Sequence, residues 1–148
     1  MPSPHFAAAE AVRDLINAQA WDAAYEFTAT AVRHPKFKRE DFKTLFVQAI
    51  PAVDGTYSMS PLDRGSHTVE CPVNVVVAQI VDRNDTARVS QLEDLVYDIA
   101  RLLARTSLAT YGLPTEDLAV VMEDEAWKED GVFFAGVGLV YDYRQLRV

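Results

Sequence analysis

The sequence predicts an α+β fold: one mostly antiparallel (mixed) sheet of about five strands with two helices on one face. Apolar residues recur at helical spacing near the N-terminus and again after residue 90. Elsewhere apolar and polar residues alternate, which is typical of half-buried strands. The predicted order is α-β-β-β-α-β-β. A chain of 148 residues, 49% hydrophobic and 24% charged, has the size and composition of one domain, and we expect residues 1–148 to form it.

The first part of the chain is predicted to contain a helix and two strands. Pro4 suits the first turn of a helix over residues 3–20. Alternation over residues 25–31 predicts the first strand. Residues 45–50 predict the second strand, which Pro51 ends.

Residues 51–66 form the most irregular segment, because prolines and glycines interrupt it. Its length of about 16 residues is typical of functional or disordered connections. Tyr57, Met59 and Leu62 are apolar side chains that a solvated linker does not need. We therefore expect this connection to become ordered against a partner molecule.

Residues 67–82 predict a long strand. Pro72 cannot donate to a β-ladder, so it indicates an edge position or a bulge. Cys71 is the only cysteine and cannot form an internal disulfide, which favours folding in a reducing cytosol. We interpret it as a core residue because it lies on the apolar face of this strand, which is formed by Val69, Cys71, Val73, Val75 and Val77.

A second helix and two more strands follow. Ser90 and Glu93 have the spacing of a capping box, which predicts a helix that begins there and runs to about residue 109. Residues 118–122 predict a short strand, and residues 132–144 predict the last one. The last strand is apolar on both sides, so both of its faces should be covered. Two alternatives for the second cover stay open: a partner subunit, and the 51–66 connection.

Composition and motifs argue against several functional classes. The net charge of −8 argues against general affinity for nucleic acid, which needs a basic surface. We expect no signal peptide and no membrane contact, because no apolar stretch approaches the roughly 20 residues of a membrane helix. His5, His34 and His67 are isolated, which argues against a metal site. We therefore expect no catalytic, cofactor-binding or metal-binding residues, and no enzyme activity.

Two short charged stretches are candidates for one contact between subunits, because facing surfaces of opposite charge attract each other. The basic turn around residues 36–39 has a solvated turn as its alternative. The acidic run over residues 123–130 has a solvated hairpin tip as its alternative, and its spacing disfavours a cation loop. The predicted contact residues are Tyr57, Met59, Leu62, Lys36, Lys38, Arg39, Glu123, Asp124, Glu125 and Phe134.

Four segments follow one another in a characteristic order: a leading helix that ends near residues 17–21, a valine-rich strand at 73–77, a helix at 91–100 and a closing strand at 137–143. This layout resembles that of the tail terminator (tail completion or neck) proteins of long-tailed bacteriophages. The resemblance covers most of the chain, but it is one of layout and carries no diagnostic motif. That family has no catalytic residues, so the resemblance assigns none here.

The resemblance implies a structural virion protein that forms a ring, expected to be a homohexamer, on the end of a completed tail tube. The ring would end tail polymerisation and offer a surface to the head connector or stopper protein. A sheath protein would join these partners if the tail is contractile, and DNA would only pass through. The protein would be assembled in the host cytoplasm and reside in the tail or neck of the virion. Two alternatives stay open: another neck component for head completion, or a small-ligand-binding α+β module.

Overall fold

Two α-helices and a mixed β-sheet make up the computed structural model of the protein, which describes residues 4–52, 59–63, 66–82, 84–123 and 131–146. The predicted α+β class is confirmed, and one strand, β3, is additional to the predicted order. In chain order the elements are α1 (Pro4–Ala18), β1 (Thr30–Ala31), a short 3-10 helix (Arg39–Phe42), β2 (Phe46–Pro51), β3 (Met59–Asp63), β4 (Ser66–Ile80), α2 (Thr86–Arg105), β5 (Ala119–Met122) and β6 (Val132–Leu146).

Six strands form a single sheet in the described part of the chain. Its order is β1-β2-β4-β6-β5, and β3 pairs with β4 beyond the end of β2. β1 runs parallel to β2, whereas the other described pairs are antiparallel. β4 and β6 pair along their whole length, from Ser66 opposite Leu146 to Ile80 opposite Val132. This central pair therefore contributes residues to both faces of the sheet.

Pro72 lies in the gap between β2 and β3 along one side of β4. β2 pairs with β4 as far as Val73, and β3 pairs with it from Val69. The Pro72 carbonyl accepts a hydrogen bond from Ala52 N at 2.9 Å on this side. The N–H and C=O of one residue point to the same side of an antiparallel strand, so the missing proline donor also faces the gap. Pro72 thus occupies a local edge within a central strand.

Both helices pack on one face of the sheet, which we call the helix face. Alternate residues of a strand point to the same face, and the alternate valines of β4 are fully buried beneath the helices. One core cluster unites β4 and β6 with both helices, and it includes Val73, Val75, Val77, Val137, Val12, Ile16, Leu95 and Ile99.

α2 begins earlier and ends earlier than the sequence predicted. Asp85 is its N-cap, and the Asp85 side chain accepts a hydrogen bond from Arg88 N at 3.0 Å. The predicted capping box at Ser90 and Glu93 is therefore wrong, because an acceptable cap lies five residues upstream and nothing between them interrupts the helix. The helix ends at Arg105, since Thr106 has extended backbone angles.

Two predicted segments between α1 and β4 are also corrected. The strand predicted over residues 25–31 is only Thr30–Ala31, because the Asn17 side chain binds the main chain of Ala29 through bonds of 2.8 and 3.0 Å. An α1 side chain thus takes the place of a ladder partner. The predicted irregular connection over residues 51–66 contains β3, whose pairing with β4 the local sequence did not indicate.

Candidate interaction surface

The face of the sheet opposite the helices, here called the open face, carries a second apolar cluster. Strict alternation along β4 and β6 places Val76, Ala78 and Phe134 on this side. The buried members of the cluster are Phe42, Ile50, Val76, Ala78 and Val132, and Val32, Phe46, Ile80 and Phe134 pack against them. Part of the open face is therefore shielded from solvent.

An aromatic cluster of Phe37, Phe42, Phe46 and Phe134 covers one end of the open face. The Phe42 and Phe46 ring centroids are 5.3 Å apart, and Phe37 lies 5.9 Å from Phe134. Phe42 is 7% exposed and Phe37 is 40% exposed. At this end the cover is thus provided by residues 37–42, which is neither of the two covers that the sequence analysis considered.

The 3-10 helix holds this aromatic cover in place. The Asp41 side chain accepts a hydrogen bond from Lys38 N at 3.1 Å, and Asp41 N donates to the Lys38 carbonyl at 2.9 Å. These two bonds close the turn between Phe37 and Phe42, so both rings point to the sheet. Local sequence patterns did not predict this role, because the two phenylalanines lie among charged residues. Two large apolar side chains in an otherwise charged segment were the signal that could have indicated a buried contact.

A glycine strip continues the open face beyond the aromatic cluster. Gly136 lies between Val76 and Val121 in the register, and Gly138 lies between Asn74 and Ala119. Neither glycine adds a side chain, so the backbone of β6 is reachable from this side. Val121 is 53% exposed. We use the name glycine strip for Gly136, Gly138, Ala119 and Val121.

Charged residues of both signs lie beside the aromatic cluster in the same subunit. Lys36, Lys38 and Arg39 are exposed on the segment that contains Phe37. Glu123, also exposed, donates its backbone N–H to the Phe134 carbonyl at 2.8 Å. Because Phe37 contacts Phe134, the basic turn and Glu123 lie at the same end of the open face. The predicted contact between subunits stays a prediction, and an intramolecular contact is now an alternative to it.

The remaining predicted contact residues are only partly described. Tyr57, Asp124 and Glu125 lie outside the described residues. Met59 and Leu62 belong to β3, and their side chains also lie outside what is described. The backbone of both residues is in a strand, so the expectation that they lie in an irregular connection is wrong.

A buried polar cluster lies at the start of α1, on the helix face. Burial raises the pKa of Cys71 to about 11 and the pKa of Tyr111 to about 12. Burial also lowers the pKa of His5, although a hydrogen bond to the Glu70 backbone opposes this shift. The Cys71 thiol is therefore protonated at neutral pH, whereas the thiolate is the reactive form of cysteine. The hydroxyl of Tyr141 is buried without a hydrogen-bond partner among the described residues.

The described residues show neither a metal-binding cluster nor a membrane-spanning helix. Among the described residues, no three His, Cys, Asp or Glu side chains are grouped so as to hold a metal ion. Within the same residues, no helix has the length and apolar character needed to cross a bilayer. No known protein family matches the chain, and no curated protein matches it.

Proposed function

We propose that the protein is a structural assembly subunit that caps the end of a phage tail tube as a ring. The observation that supports this proposal is the open face, where the half-buried Gly136 and Gly138 lie beside an exposed Val121. Glycine within a strand is typical of places where another backbone approaches closely. The layout of elements, which resembles that of tail terminator proteins, points to the same role.

A ring needs a different surface patch on each side of the subunit, because head-to-tail contacts close into rings. The open face provides one such patch, in which the glycine strip continues directly from the aromatic cluster. We infer a homohexamer in which one patch contacts the next subunit or the tail tube. The head connector would bind the assembled ring, and the net charge of −8 would keep passing DNA from adhering to it.

The test is the mass of the purified protein, alone and with isolated tail tubes, measured by light scattering. We expect a ring of six copies of the 16.5 kDa chain, or a monomer that forms this ring on the tubes. Val121→Asp should prevent the ring, because a buried, unpaired carboxylate is unfavourable in an interface. Leu113→Asp is the matched control, since Leu113 is 51% exposed and lies outside the open face.

Three results would contradict the proposal in whole or in part, or would favour a different function. Tails that grow to uncontrolled length in the presence of the protein would refute the capping role. A stable dodecamer, or binding to heads and not to tails, would favour a head-completion or stopper protein. A ring that is indifferent to both Lys38→Glu and salt would refute charge pairing between subunits, because exposed pairs are screened beyond about 10 Å at 0.1 M salt.

A further inference from the structure

β5 forms one outer edge of the sheet in the described part of the chain. β5 is the last strand in the sheet order, and no described residue pairs with its outer side. Its four residues, Ala119–Met122, include no charge and no proline. Natural proteins usually protect such edges with very short strands, charged residues, proline, bulges or a covering segment, and among the described residues β5 has only its short length of four residues. The exposed main chain of β5 therefore requires an explanation.

The pairing with β6 shows which main-chain groups point outward. Glu123 N donates inward to the Phe134 carbonyl at 2.8 Å. In an antiparallel pair, successive residues direct their N–H and C=O groups to opposite sides. Val120 and Met122, which alternate with Val121 and Glu123, therefore present their N–H and C=O groups to the outer edge. An added strand would find two donors and two acceptors there.

A groove of about 470 Å³ lies directly beside this edge, between β5 and α2. Tyr97, Ala100 and Ala104 of α2 form one wall, and Leu118 and Val120 form the other. The small alanine side chains leave space that a strand at the edge could fill with every second side chain. Tyr97 is 46% exposed, so its ring is accessible to a side chain that enters the groove.

The charges around the edge select the partner. Glu116, Asp117 and Glu123 are all exposed, and they lie before and after β5. Arg101 also lines the groove, but it is bonded to Asp98 of the same helix. The surroundings are thus acidic at both ends of the edge. Two copies of the chain that paired through β5 would bring like charges together, which is unfavourable.

The opposite edge of the sheet, formed by β1, differs from the β5 edge in its length and in how its main-chain groups are bonded. β1 has only two residues, and Asn17 already occupies the main chain of the preceding Ala29. A side chain therefore occupies main-chain groups beside β1, whereas no described residue occupies the outer main-chain groups of β5, so the β5 edge is available to a partner.

We propose that the outer edge of β5 binds an extended peptide segment of another protein, by strand addition. The segment carries apolar residues at alternate positions, which enter the groove, and basic residues near both ends, which face Glu116, Asp117 and Glu123. Main-chain hydrogen bonds supply binding, and the groove and the charges supply specificity. This inference goes beyond the capping role and does not depend on it.

The probe is a synthetic, end-blocked peptide of alternating valine and threonine with a lysine pair at each end. NMR titration should shift the amide resonances of residues 118–122 and slow the hydrogen exchange of Val120 and Met122. A peptide N-methylated at alternate residues should bind about tenfold more weakly or not at all, because it lacks the donors of one side. A peptide with glutamates in place of the lysines should also bind more weakly.

Val120→Pro is the corresponding protein variant. Proline is tolerated at an edge where the lost N–H points outward, so β5 should keep its pairing with β6. Peptide affinity should fall on the order of tenfold, whereas Val120→Ala, which keeps the donor, should lose less. Equal binding by the N-methylated peptide, or shifts confined to other elements, would overturn the proposal. Self-association of the protein that Val120→Pro abolishes would also overturn it, because the occupant would then be a second copy.

Discussion

The helix face and the open face of the sheet are formed by the same central strands, but they bury their residues differently. On the helix face, two long helices cover β4 and β6, and the valines of β4 are fully buried. On the open face, a single short segment covers one end, and the glycine strip is left with an exposed Val121. One face therefore supplies most of the described core, whereas the other leaves Val121 and the neighbouring glycines partly exposed.

The largest expected effect is on the helix face. Ile99 lies on the sheet-facing side of α2 and is fully buried, so Ile99→Ala should reduce the free energy of unfolding by about 2–5 kcal/mol through lost burial and a cavity. Urea denaturation measures this loss. Glu93→Ala, at an exposed position of the same helix, is the control and should change it by less than about 0.5 kcal/mol. A loss below about 1 kcal/mol for Ile99→Ala would contradict the helix-on-sheet packing.

Phe42→Ala should have a smaller effect, because the aromatic cluster on the open face is partly solvated. Phe42 is 7% exposed, and we expect its truncation to cost about 1–3 kcal/mol in urea denaturation. Phe37→Ala should cost less, since that ring is 40% exposed. Equal losses for the two variants would mean that residues 37–42 do not cover the sheet as described.

The two glycines of the strip provide a finer test of the open face. A Cβ at Gly136 would meet only Val75 O at 3.8 Å, whereas one at Gly138 would lie 3.2 Å from Asn74 Oδ1. Gly136→Ala should therefore stabilise the fold by about 0.4–1 kcal/mol through the unfolded state. Gly138→Ala should stabilise it less, and the difference should vanish in an Asn74→Ala background, as a double-mutant cycle measures. A difference that persists there would exclude Asn74 as its cause.

The pH dependence of stability should arise on the helix face, where the buried titratable groups lie. Cys71 has an ordinary pKa of 9.0, which burial raises to about 11. The folded protein therefore keeps this proton when the unfolded chain loses it, and stability falls as pH rises from about 9 to about 11. Urea midpoints across this range should decline less steeply for Cys71→Ala. An unchanged slope would show that Cys71 does not titrate as described.

His5 should contribute to the pH dependence of stability at acidic pH. Its pKa is lowered from 6.5 by burial, so the unfolded chain binds a proton more readily than the folded protein does. Stability should therefore decrease as pH falls below about 6.5. This small effect should be reduced in His5→Gln, and an identical acid limb in that variant would assign the slope to other groups.

The local pattern of the sequence was sufficient to predict the class of fold and most of its helices and strands. Alternation predicted β4 and β6, and apolar periodicity predicted α2, because both signals depend on neighbours a few residues apart. Val73, Val75 and Val77 were placed on one face from their spacing alone, and they are buried together. Phe134 was identified as a surface candidate for the same reason, since it lies on the second apolar side of the last strand.

The tertiary structure decided what depends on distant residues. Phe37 and Phe42 lie about a hundred residues from Phe134 in the chain, and nothing local to either segment predicts their contact. The same holds for β3, for the Asn17 bonds that shorten β1, and for the groove between α2 and β5. Alternation shows that a strand has two apolar sides, but what covers each side depends on where the rest of the chain packs. The free energy of that packing is shared among many contacts that are distant in sequence, so no short pattern records it.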